Sequence, residues 1–304
     1  MTSDPLVTVV IATYKRADLV PRAIESVRRQ TYHHIEILVI DDGSPDDTAS
    51  VVQSIPDSRI RYIRHEANKG LPAGRNTGIR ATQGEYIAFL DDDDQWREDK
   101  LERQLEAIAE YDAVACTAVV HGYPLRIHNR PDISLDDLRK GGFAPSGLLA
   151  RTYVLRDVMF DEALRQGEDW DAFIRIAQRY SMGWVAEPLL IYDQGGHVRM
   201  TNEKKFLSGP ELETRTAILH KHRSFLGEKW FKYHLADTFL GYIGSRQNRL
   251  HCIGYAVKRC GIMPVVAVFR DKFREKLRRL MWMWRSKSLP ANGQSLSGVA
   301  GRGR

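Results

Sequence analysis

The chemistry that this chain could perform is concentrated in four consecutive carboxylates, Asp91, Asp92, Asp93 and Asp94. They follow the apolar run 86–90, which is short and β-prone and therefore typical of a buried strand. Like charges repel one another, and carboxylates at the edge of a core lose hydration. A hard divalent cation with oxygen ligands would relieve both costs, so the run indicates a metal site. The alternative is a solvated acidic turn that caps the helix beginning near Arg97.

Two further acidic pairs stand where the pattern predicts the end of a strand or the start of a helix. Asp41 and Asp42 follow the predicted buried strand 35–40, and ligands of open α/β sheets bind beyond the carboxyl ends of such strands. Glu168 and Asp169 precede apolar residues at helical spacing, where the helix dipole favours ionised carboxylates. Such a pair caps a helix or, beside a cleft, supplies a general base, and the spacing alone leaves both roles open.

Arg75 lies in a glycine-rich segment, 68–78, that matches no phosphate-binding fingerprint. Gly70, Gly74 and Gly78 recur at every fourth position, which predicts close packing of a helix against its neighbour. The role of Arg75 stays open between a nucleotide contact and a part of this packing.

The elements that must position these residues alternate between strand and helix, a pattern that predicts βαβ units and a largely parallel sheet. The predicted strands are 7–12, 35–40, 60–63, 86–90, 113–120 and 146–150, and the predicted helices are 19–30, 48–54 and 97–110. Residues 121–142 show weak periodicity and are expected to form a loop region, with His121 and His128 as ordinary loop residues.

In their order and spacing these segments resemble the family 2 glycosyltransferases of the GT-A fold. The resemblance covers about residues 5–200 and rests on segments 9–16, 23–27, 30–32, 36–44, 74–78, 84–94, 160–162 and 168–171. It implies an α/β fold of Rossmann-like GT-A type, with a mostly parallel central sheet flanked by helices and a mainly helical C-terminal extension. It also implies inverting, metal-dependent transfer of a sugar from a nucleotide diphosphate donor to a glycan or lipid-linked acceptor.

The resemblance places the acidic run at the DXD motif of the family. It implies that Asp91 faces the ribose or sugar of the donor, with Asp92 in the same nucleotide-sugar site. Asp93 is expected to help bind Mn²⁺ or Mg²⁺ on the diphosphate. An oxygen-ligated metal neutralises the two phosphates as the sugar leaves.

Nucleotide contacts are implied by the resemblance at Thr13, Tyr14 and Asp42, with Asp41 and Arg16 as neighbouring candidates. A carboxylate can accept the N3–H of uracil or thymine, or the N1–H and N2–H of guanine. The base therefore stays open, with a UDP-sugar favoured.

Asp169 matches the general base of the family, with Glu168 beside it and Arg75 as a further candidate contact to the donor. Two more candidates lie in the segment 191–201, after the last strand of the sheet. Many relatives carry a histidine in a mobile loop here, which makes His197 a candidate contact to the metal or the diphosphate and Arg199 a candidate contact to the diphosphate. A glycine pair precedes His197, as expected of a closing loop.

Charge divides the chain unevenly and predicts its domains. Residues 204–304 contain 21 Lys and Arg against 6 Asp and Glu, whereas residues 1–203 contain 24 against 33. We expect a GT-A catalytic domain over 1–203, a basic helical region over 204–285, and a disordered tail over 286–304 rich in Ser, Gly and Asn.

One helix of the basic region, 271–284, carries an apolar face beside a basic face, which suits an anionic membrane surface. Its apolar residues are Phe273, Leu277, Leu280, Met281 and Trp284. The alternative is a helix docked on the catalytic domain with a solvated basic side. The family habit and this charge pattern favour a lipid-linked acceptor in the assembly of lipopolysaccharide or another surface polysaccharide.

Other features of the sequence narrow its location and its class. The first six residues lack a signal-peptide pattern, no apolar run approaches the roughly 20 residues of a membrane span, and three cysteines form no paired framework. We expect a cytoplasmic protein peripheral to the inner face of the membrane, without nucleic acid as a partner. The alternatives are a degenerate relative that binds a glycan or a partner, and a sugar nucleotidyltransferase, whose N-terminal glycine-rich signature is missing from residues 7–16.

Overall fold

The computed structural model describes residues 4–120, 122–125, 130–164, 166–193, 207–241, 243–245 and 249–287. Within these ranges one sheet of nine strands forms the centre of the fold. Its strands are β1 (Val7–Thr13), β2 (Ile35–Asp41), β3 (Ile60–Arg64), β4 (Tyr86–Phe89), β5 (Gln95–Trp96), β6 (Ala113–Val120), β7 (Tyr123–Leu125), β8 (Leu149–Arg151) and β9 (Met182–Ile191).

The sheet is parallel in its N-terminal half and mixed beyond it. The strands follow the order β3-β2-β1-β4-β8-β6-β9-β5, with β7 paired to β6. Strands β3, β2, β1 and β4 are mutually parallel, and β6 is parallel to β9. The pairs β4–β8, β6–β8, β6–β7 and β5–β9 are antiparallel, so the sheet is more mixed than the sequence predicts. The predicted α/β architecture, a central sheet flanked by helices, is confirmed.

Helices cover both faces of this sheet, which is why β2 is buried along its whole length. Those of the first part are α1 (Val20–Arg28), α2 (Thr48–Gln53), α3 (Leu71–Ala81), α4 (Lys100–Ala107), α5 (Leu135–Arg139), α6 (Thr152–Val158) and α7 (Glu168–Ala177). Those of the C-terminal region are α8 (Gly209–Glu213), α9 (Ala217–Lys221), α10 (Arg223–Phe239), α11 (Arg249–Cys260) and α12 (Ile262–Lys287).

Residues 121–142 contain more regular structure than the expected loop region. The described part of this segment holds β7 and α5, and Ser134 caps α5 in a reciprocal capping box with Asp137. The box is a local hydrogen-bonding signal rather than a hydrophobic one, so the weak periodicity did not reveal it. His121 and His128 lie outside the described residues.

The glycine spacing of α3 brings this helix against the sheet, as predicted. A Cβ on Gly78 would lie 2.3 Å from Cγ1 of Val10, and a Cβ on Gly74 would lie 3.3 Å from Cβ of Ala12. Both neighbours belong to β1, so a larger side chain at Gly78 would push α3 away from the strand. This contact fixes the position of Arg75, which lies on the same helix.

The C-terminal helices attach to α7 through a buried acid. Asp171 of α7 is fully buried, and its Oδ1 lies 2.7 Å from Nζ of Lys221 and 2.7 Å from Nε2 of His222. Burial raises the pKa of this carboxyl, but the hydrogen bonds from His222, Lys221 and Arg175 lower it well below its usual range. The ionised Asp171 therefore anchors α9 and α10 behind α7.

Helix α12 carries a long apolar stripe on its outer face. The large apolar side chains that it exposes include Ile262, Val266, Phe269, Phe273, Leu277, Leu280 and Trp284, spaced three or four residues apart. Among the helices that the structure describes, α12 included, none is both long and apolar enough to cross a membrane.

Candidate active site

The carboxyl ends of β1, β2 and β4 meet at one edge of the sheet, where the sequence places its acidic residues. A cavity of about 390 Å³ opens there, and we call it the strand-end cavity. It is lined by Ala12, Thr13, Tyr14, Arg16, Asp42, Asn68, Gly70, Leu71, Gly74, Asp91, Asp92, Asp93 and Tyr192. Seven of the predicted site residues are thus brought together by the parallel strands.

The first two carboxylates of the acidic run face different partners. Oδ1 of Asp91 accepts a hydrogen bond from Nη2 of Arg75 at 2.7 Å. Oδ2 of Asp92 accepts one from Oγ1 of Thr13 at 2.7 Å, across 79 positions of the chain. The pKa of Asp92 is raised to about 7, mainly by burial and also by the neighbouring Asp93 and Asp91, against the lowering effects of Thr13 and Arg16.

The other two carboxylates of the run contact Arg16 and Ser146. Oδ2 of Asp93 lies 3.7 Å from Nη1 of Arg16, at the mouth of the strand-end cavity. Asp94 is fully buried, and its Oδ2 accepts a hydrogen bond from Oγ of Ser146 at 2.8 Å. Burial raises the pKa of Asp94 well above its usual range, with additional contributions from Asp91 and Asp93.

Four consecutive carboxylates stand at this edge beside the cations of Arg16 and Arg75, and this concentration of negative charge fits a divalent cation. No group of three or more His, Cys, Asp or Glu side chains in the described ranges forms a ready cage for one. Such a site suits Mg²⁺ or Mn²⁺ held by one or two carboxylates, with substrate phosphates completing the coordination. Asp91, Asp92 and Asp93 all line the cavity, and Asp93 is the one that the resemblance predicts as the metal ligand.

Asp42 and Asp41 have different environments although they are neighbours. Asp42 lines the strand-end cavity, and its carboxylate accepts backbone hydrogen bonds from Lys69 at 2.8 Å and Gly70 at 2.7 Å. Asp41 is fully buried and accepts a hydrogen bond from the backbone N–H of Ser44 at 2.8 Å. The structure therefore brings Asp42 to the cavity wall but directs the Asp41 carboxylate into the loop after β2.

The loop after β1 holds Tyr14 at the cavity in a strained backbone. Tyr14 is 37% exposed, and the ammonium of Lys15 lies 5.1 Å from its ring centroid. Lys15 has a φ of 56°, in the left-handed region that side chains other than glycine rarely adopt. Strain of this kind is found at ligand sites, where the surrounding structure maintains it.

Arg75 bridges the acidic run and the N-terminus of α7. Its side chain is almost completely buried, with Nη1 donating to Oε1 of Glu168 at 2.9 Å and Nη2 donating to Asp91. Burial alone would lower the pKa of Arg75, but Asp91, Glu168 and Asp169 raise it. The arginine is therefore a charge bridge between the two acidic groups of the site.

A second cavity, of about 660 Å³, adjoins the strand-end cavity and shares Leu71, Asp91 and Tyr192 with it. Its remaining lining residues are Arg75, Cys116, Ala118, Leu125, Gly142, Phe143, Ala144, Pro145, Gln166, Gly167, Glu168, Asp169, Trp184, Glu275 and Arg279. A third cavity, of about 710 Å³ beside Arg22 and Trp96, has none of the predicted site residues in its described lining.

Glu168 and Asp169 stand in the second cavity at the first turn of α7. Gly167 precedes them with a φ of 77°, and a Cβ there would lie 3.0 Å from Ile218, so α9 packs closely behind this turn. Burial and the neighbouring Asp169 raise the pKa of Glu168 to about 7, against the effect of Arg75. Burial also raises the pKa of Asp169, with Arg75 opposing it, and a raised pKa makes this carboxylate a better proton acceptor.

His197 and Arg199 lie outside the described residues. The structure also brings residues to the site that the sequence analysis did not predict: Ser146 bonds to Asp94, Tyr192 lines both cavities, and Arg279 lines the second. No local pattern distinguishes Ser146 or Tyr192, because each reaches the site only through the pairing of distant strands.

The comparison that decides the family is a match of residues 8–165, which cover just over half of the chain, to Glycosyl transferase family 2. The chain belongs to this family. The matched residues include nearly all of β1, the acidic run, α3 and every lining residue of the strand-end cavity except Tyr192. The resemblance seen in the sequence is confirmed.

Two curated relatives illustrate the range of similarity to this glycosyltransferase. It is 29% identical to the putative colanic acid biosynthesis glycosyl transferase WcaA of Escherichia coli K12, over 69% of this chain and 80% of WcaA. It is 42% identical to the UDP-Glc:alpha-D-GlcNAc-diphosphoundecaprenol beta-1,3-glucosyltransferase WfaP of Escherichia coli, over 33% of this chain and 40% of WfaP. The chain spans only 31% to 54% of the length of several other relatives.

The fold is also similar to that of the mannosyltransferase PcManGT from Pyrobaculum calidifontis, solved in complex with GDP-Man and Mn²⁺. The TM-score is 0.60 at 18% sequence identity, over 94% of this chain and 84% of PcManGT. At this identity the similarity establishes the fold alone, and the ligands of this chain must be inferred from its own residues.

Proposed function

We propose that this glycosyltransferase transfers a sugar from a nucleoside diphosphate donor to an acceptor hydroxyl in one displacement that inverts the anomeric carbon. The observation that carries the proposal is the junction of two cavities at Asp91, with Asp169 in the second. The nucleoside diphosphate occupies the strand-end cavity, and its sugar reaches the junction. The acceptor enters from the second cavity, opposite the leaving diphosphate, and Asp169 takes the proton of the attacking hydroxyl.

The donor contacts follow from the lining of the strand-end cavity. Thr13, Tyr14 and Asp42 hold the nucleoside, and Asp91 orients the ribose or sugar, with Asp92 and Arg16 beside the diphosphate. A UDP-sugar remains the favoured donor, supported by the donor named for WfaP. Asp41 acts indirectly in this scheme, because its buried carboxylate shapes the loop that carries Asp42.

Mn²⁺ or Mg²⁺ would be held by Asp93 together with oxygens of the donor diphosphate, and His197 stays a second predicted ligand. The cation would neutralise charge on the leaving diphosphate. Asp91 and Asp92 line the same cavity as Asp93, and a cation there would offset the negative charge of all three carboxylates.

The donor site can be tested by calorimetric titration of UDP, GDP and dTDP with and without Mn²⁺. We expect one nucleotide to bind in a metal-dependent manner, and Asp93→Ala to reduce its affinity to the metal-free level. Asp47→Ala is the matched control, because Asp47 is an exposed carboxylate at the start of α2, outside both cavities.

Two results would contradict this assignment of the donor site. If Asp93→Ala binds the nucleotide and Mn²⁺ as the wild type does, Asp93 is not the metal ligand. If the wild type binds none of the three nucleotides, the alternative of a degenerate relative that binds a glycan or partner replaces the catalytic scheme.

The acceptor is proposed to be a lipid-linked saccharide in the synthesis of a surface polysaccharide, at the inner face of the membrane. Support comes from the names of WcaA, for colanic acid, and WfaP, for a diphosphoundecaprenol acceptor. The exposed stripe of α12 gives a physical reason for membrane contact, since an apolar face flanked by cations binds anionic lipid surfaces. Those cations are Lys272, Arg274, Lys276 and Arg278, whose repulsion disfavours pairing with a second copy of the helix.

Membrane contact can be tested by co-sedimentation of the full chain with anionic phosphatidylglycerol vesicles. Phe273 is 62% exposed in the middle of the stripe, and burying a phenylalanine contributes about 1.5–3 kcal/mol. Phe273→Glu is therefore expected to weaken vesicle binding by at least about tenfold, and salt is expected to weaken binding of the wild type.

Leu250→Glu is the matched control, because Leu250 is 85% exposed on α11 and lies outside the stripe. Equal losses in both variants, or a wild type that dimerises through the stripe and ignores vesicles, would exclude the membrane assignment.

A further inference from the structure

Helix α12 has an inner face as well as its exposed stripe, and this face changes character along its length. Val265 and Val268 are buried against α10 and α11. Two turns further on, Glu275 and Arg279 are half-buried and line the second cavity. Trp282 then packs edge-on against Tyr123 of β7, with ring centroids 5.7 Å apart. The helix therefore forms one wall of the cavity in which the proposed acceptor lies.

Arg279 is held on this wall by two contacts. Its Nε donates to Oε1 of Glu275 at 3.1 Å, one turn earlier on the helix. Its guanidinium lies 5.5 Å from the ring centroid of Tyr123, in a cation–π contact. Burial and the nearby Glu275 raise the pKa of Tyr123, so this ring stays neutral beside the arginine. The fork of Arg279 is thus positioned with terminal N–H groups that can each donate to an anion.

The two arginines of the second cavity have different tasks. Arg75 donates to Glu168 and Asp91 with its two terminal nitrogens and is almost completely buried. The Arg279 side chain is 44% exposed, and its Nε donates to Glu275 of the same helix. An anionic group of the acceptor would therefore meet Arg279 rather than Arg75.

We infer that Arg279 binds the diphosphate of a lipid-linked acceptor, an inference that rests on the proposed function. The lipid tail lies with the exposed stripe on the outer face of α12, and the saccharide lies in the second cavity against the inner face. The diphosphate that joins tail and saccharide must pass this helix, where Arg279 lines the cavity. A guanidinium pairs with phosphate oxygens through two parallel hydrogen bonds, which a general membrane charge does not require.

The test compares binding of the full chain to three vesicles: neutral phosphatidylcholine, the same lipid with undecaprenyl diphosphate, and the same lipid with phosphatidylglycerol at equal negative charge. We expect the wild type to bind the diphosphate vesicles more tightly than the phosphatidylglycerol vesicles. Arg279→Ala is expected to weaken binding to the diphosphate vesicles by about 10- to 100-fold, the range of a charged hydrogen bond, and to leave phosphatidylglycerol binding nearly unchanged.

Arg274→Ala is the matched control, because Arg274 lies on the same helix with a 61% exposed side chain. It removes one exposed surface charge and is expected to weaken binding to both kinds of anionic vesicle equally, by about fivefold. Arg279→Lys keeps the charge but not the fork, so it should retain phosphatidylglycerol binding and recover only part of the diphosphate preference. It also keeps a cation over Tyr123, which guards against a loss caused by misfolding.

The inference is overturned if Arg279→Ala weakens binding to both kinds of anionic vesicle equally, because the arginine then acts only as a general surface charge. It is also overturned if the wild type shows no preference for the diphosphate. Failure of the proposed function gives a different result, namely a wild type that binds no donor nucleotide in the calorimetric titration, whatever the vesicles show.

Discussion

Replacing Asp169 with asparagine is expected to slow sugar transfer by about 10²- to 10⁴-fold, the usual contribution of a general base, while donor binding is retained. The amide is nearly the same size as the carboxylate but cannot take a proton from the acceptor hydroxyl. Asp169 lines the second cavity and not the strand-end cavity, so the donor contacts stay intact. The measurement is the rate of transfer at saturating donor, together with calorimetric binding of the nucleotide.

The fold of the Asp169→Asn variant should be at least as stable as the wild type. Burial and the negative charge of Asp91 both raise the pKa of Asp169, so the native site favours a neutral group there. Asp157→Asn is the control, because Asp157 is a surface carboxylate paired with Arg179. Transfer at the wild-type rate in Asp169→Asn would remove Asp169 from the role of base. Glu168→Gln would then be the next variant, since Glu168 is the other carboxylate at this turn with a raised pKa.

Arg75→Met is expected to lower the free energy of unfolding by about 3–5 kcal/mol at neutral pH, the cost of breaking a buried ion pair by removing one partner. Methionine matches the length of the arginine stem but leaves Asp91 and Glu168 without the cation that now lies between them. Chemical denaturation of both proteins measures the difference. Transfer activity should fall with it, because the positions of Asp91 and of the Glu168 turn depend on the same arginine.

The loss in Arg75→Met should shrink as the pH is lowered. Arg75 stabilises the ionised form of Glu168, whose pKa in the folded protein is nevertheless raised from 4.5 to about 7. Without the arginine the pKa rises further, so above about pH 7 the wild type ionises Glu168 while the folded variant keeps it protonated. Below about pH 7 the Glu168 carboxyl is neutral in both folded proteins, and its pairing with Arg75 contributes little.

Two further variants test whether the loss comes from the ion pairs of Arg75 itself. Arg80→Met changes an exposed arginine of the same helix and should alter stability by less than about 0.5 kcal/mol. Arg75→Lys should give an intermediate loss, because an ammonium cannot donate in two fixed directions at once. Equal stability of Arg75→Met and the wild type at pH 7 and above would show that the bridge does not support the fold.

The central half of the sheet follows from local patterns in the sequence. The runs 7–12, 35–40 and 86–90 are apolar and β-prone, and they form β1, β2 and β4 as parallel buried strands. The glycine spacing of α3 is equally local, and Gly78 packs on Val10 as expected. These features are predictable because strand period, burial and the space required by a side chain act within a few residues.

The sequence shows that four adjacent carboxylates repel one another. It does not show which side chains contact these carboxylates in the folded protein. Thr13 meets Asp92 across 79 positions, and Arg75 meets Glu168 across 93. Such pairs depend on the register of the sheet and on where α7 packs, and neither is encoded in a local period. The sequence also leaves the role of Arg75 open. Only the packing of α3 shows that this arginine bridges Asp91 and Glu168.

Helix α12 shows most clearly which properties the sequence determines and which the tertiary structure determines. The sequence by itself determined that residues 271–284 form a helix with an apolar face beside basic residues, because helical period is a local property. Only the tertiary structure decided which face meets solvent and which meets the protein. Val265 and Val268 pack on α10 and α11, and this contact turns the apolar stripe outward and brings Arg279 into the wall of the second cavity. The orientation of a helix is set by its neighbours, and for this reason its own sequence could not reveal that it closes the site.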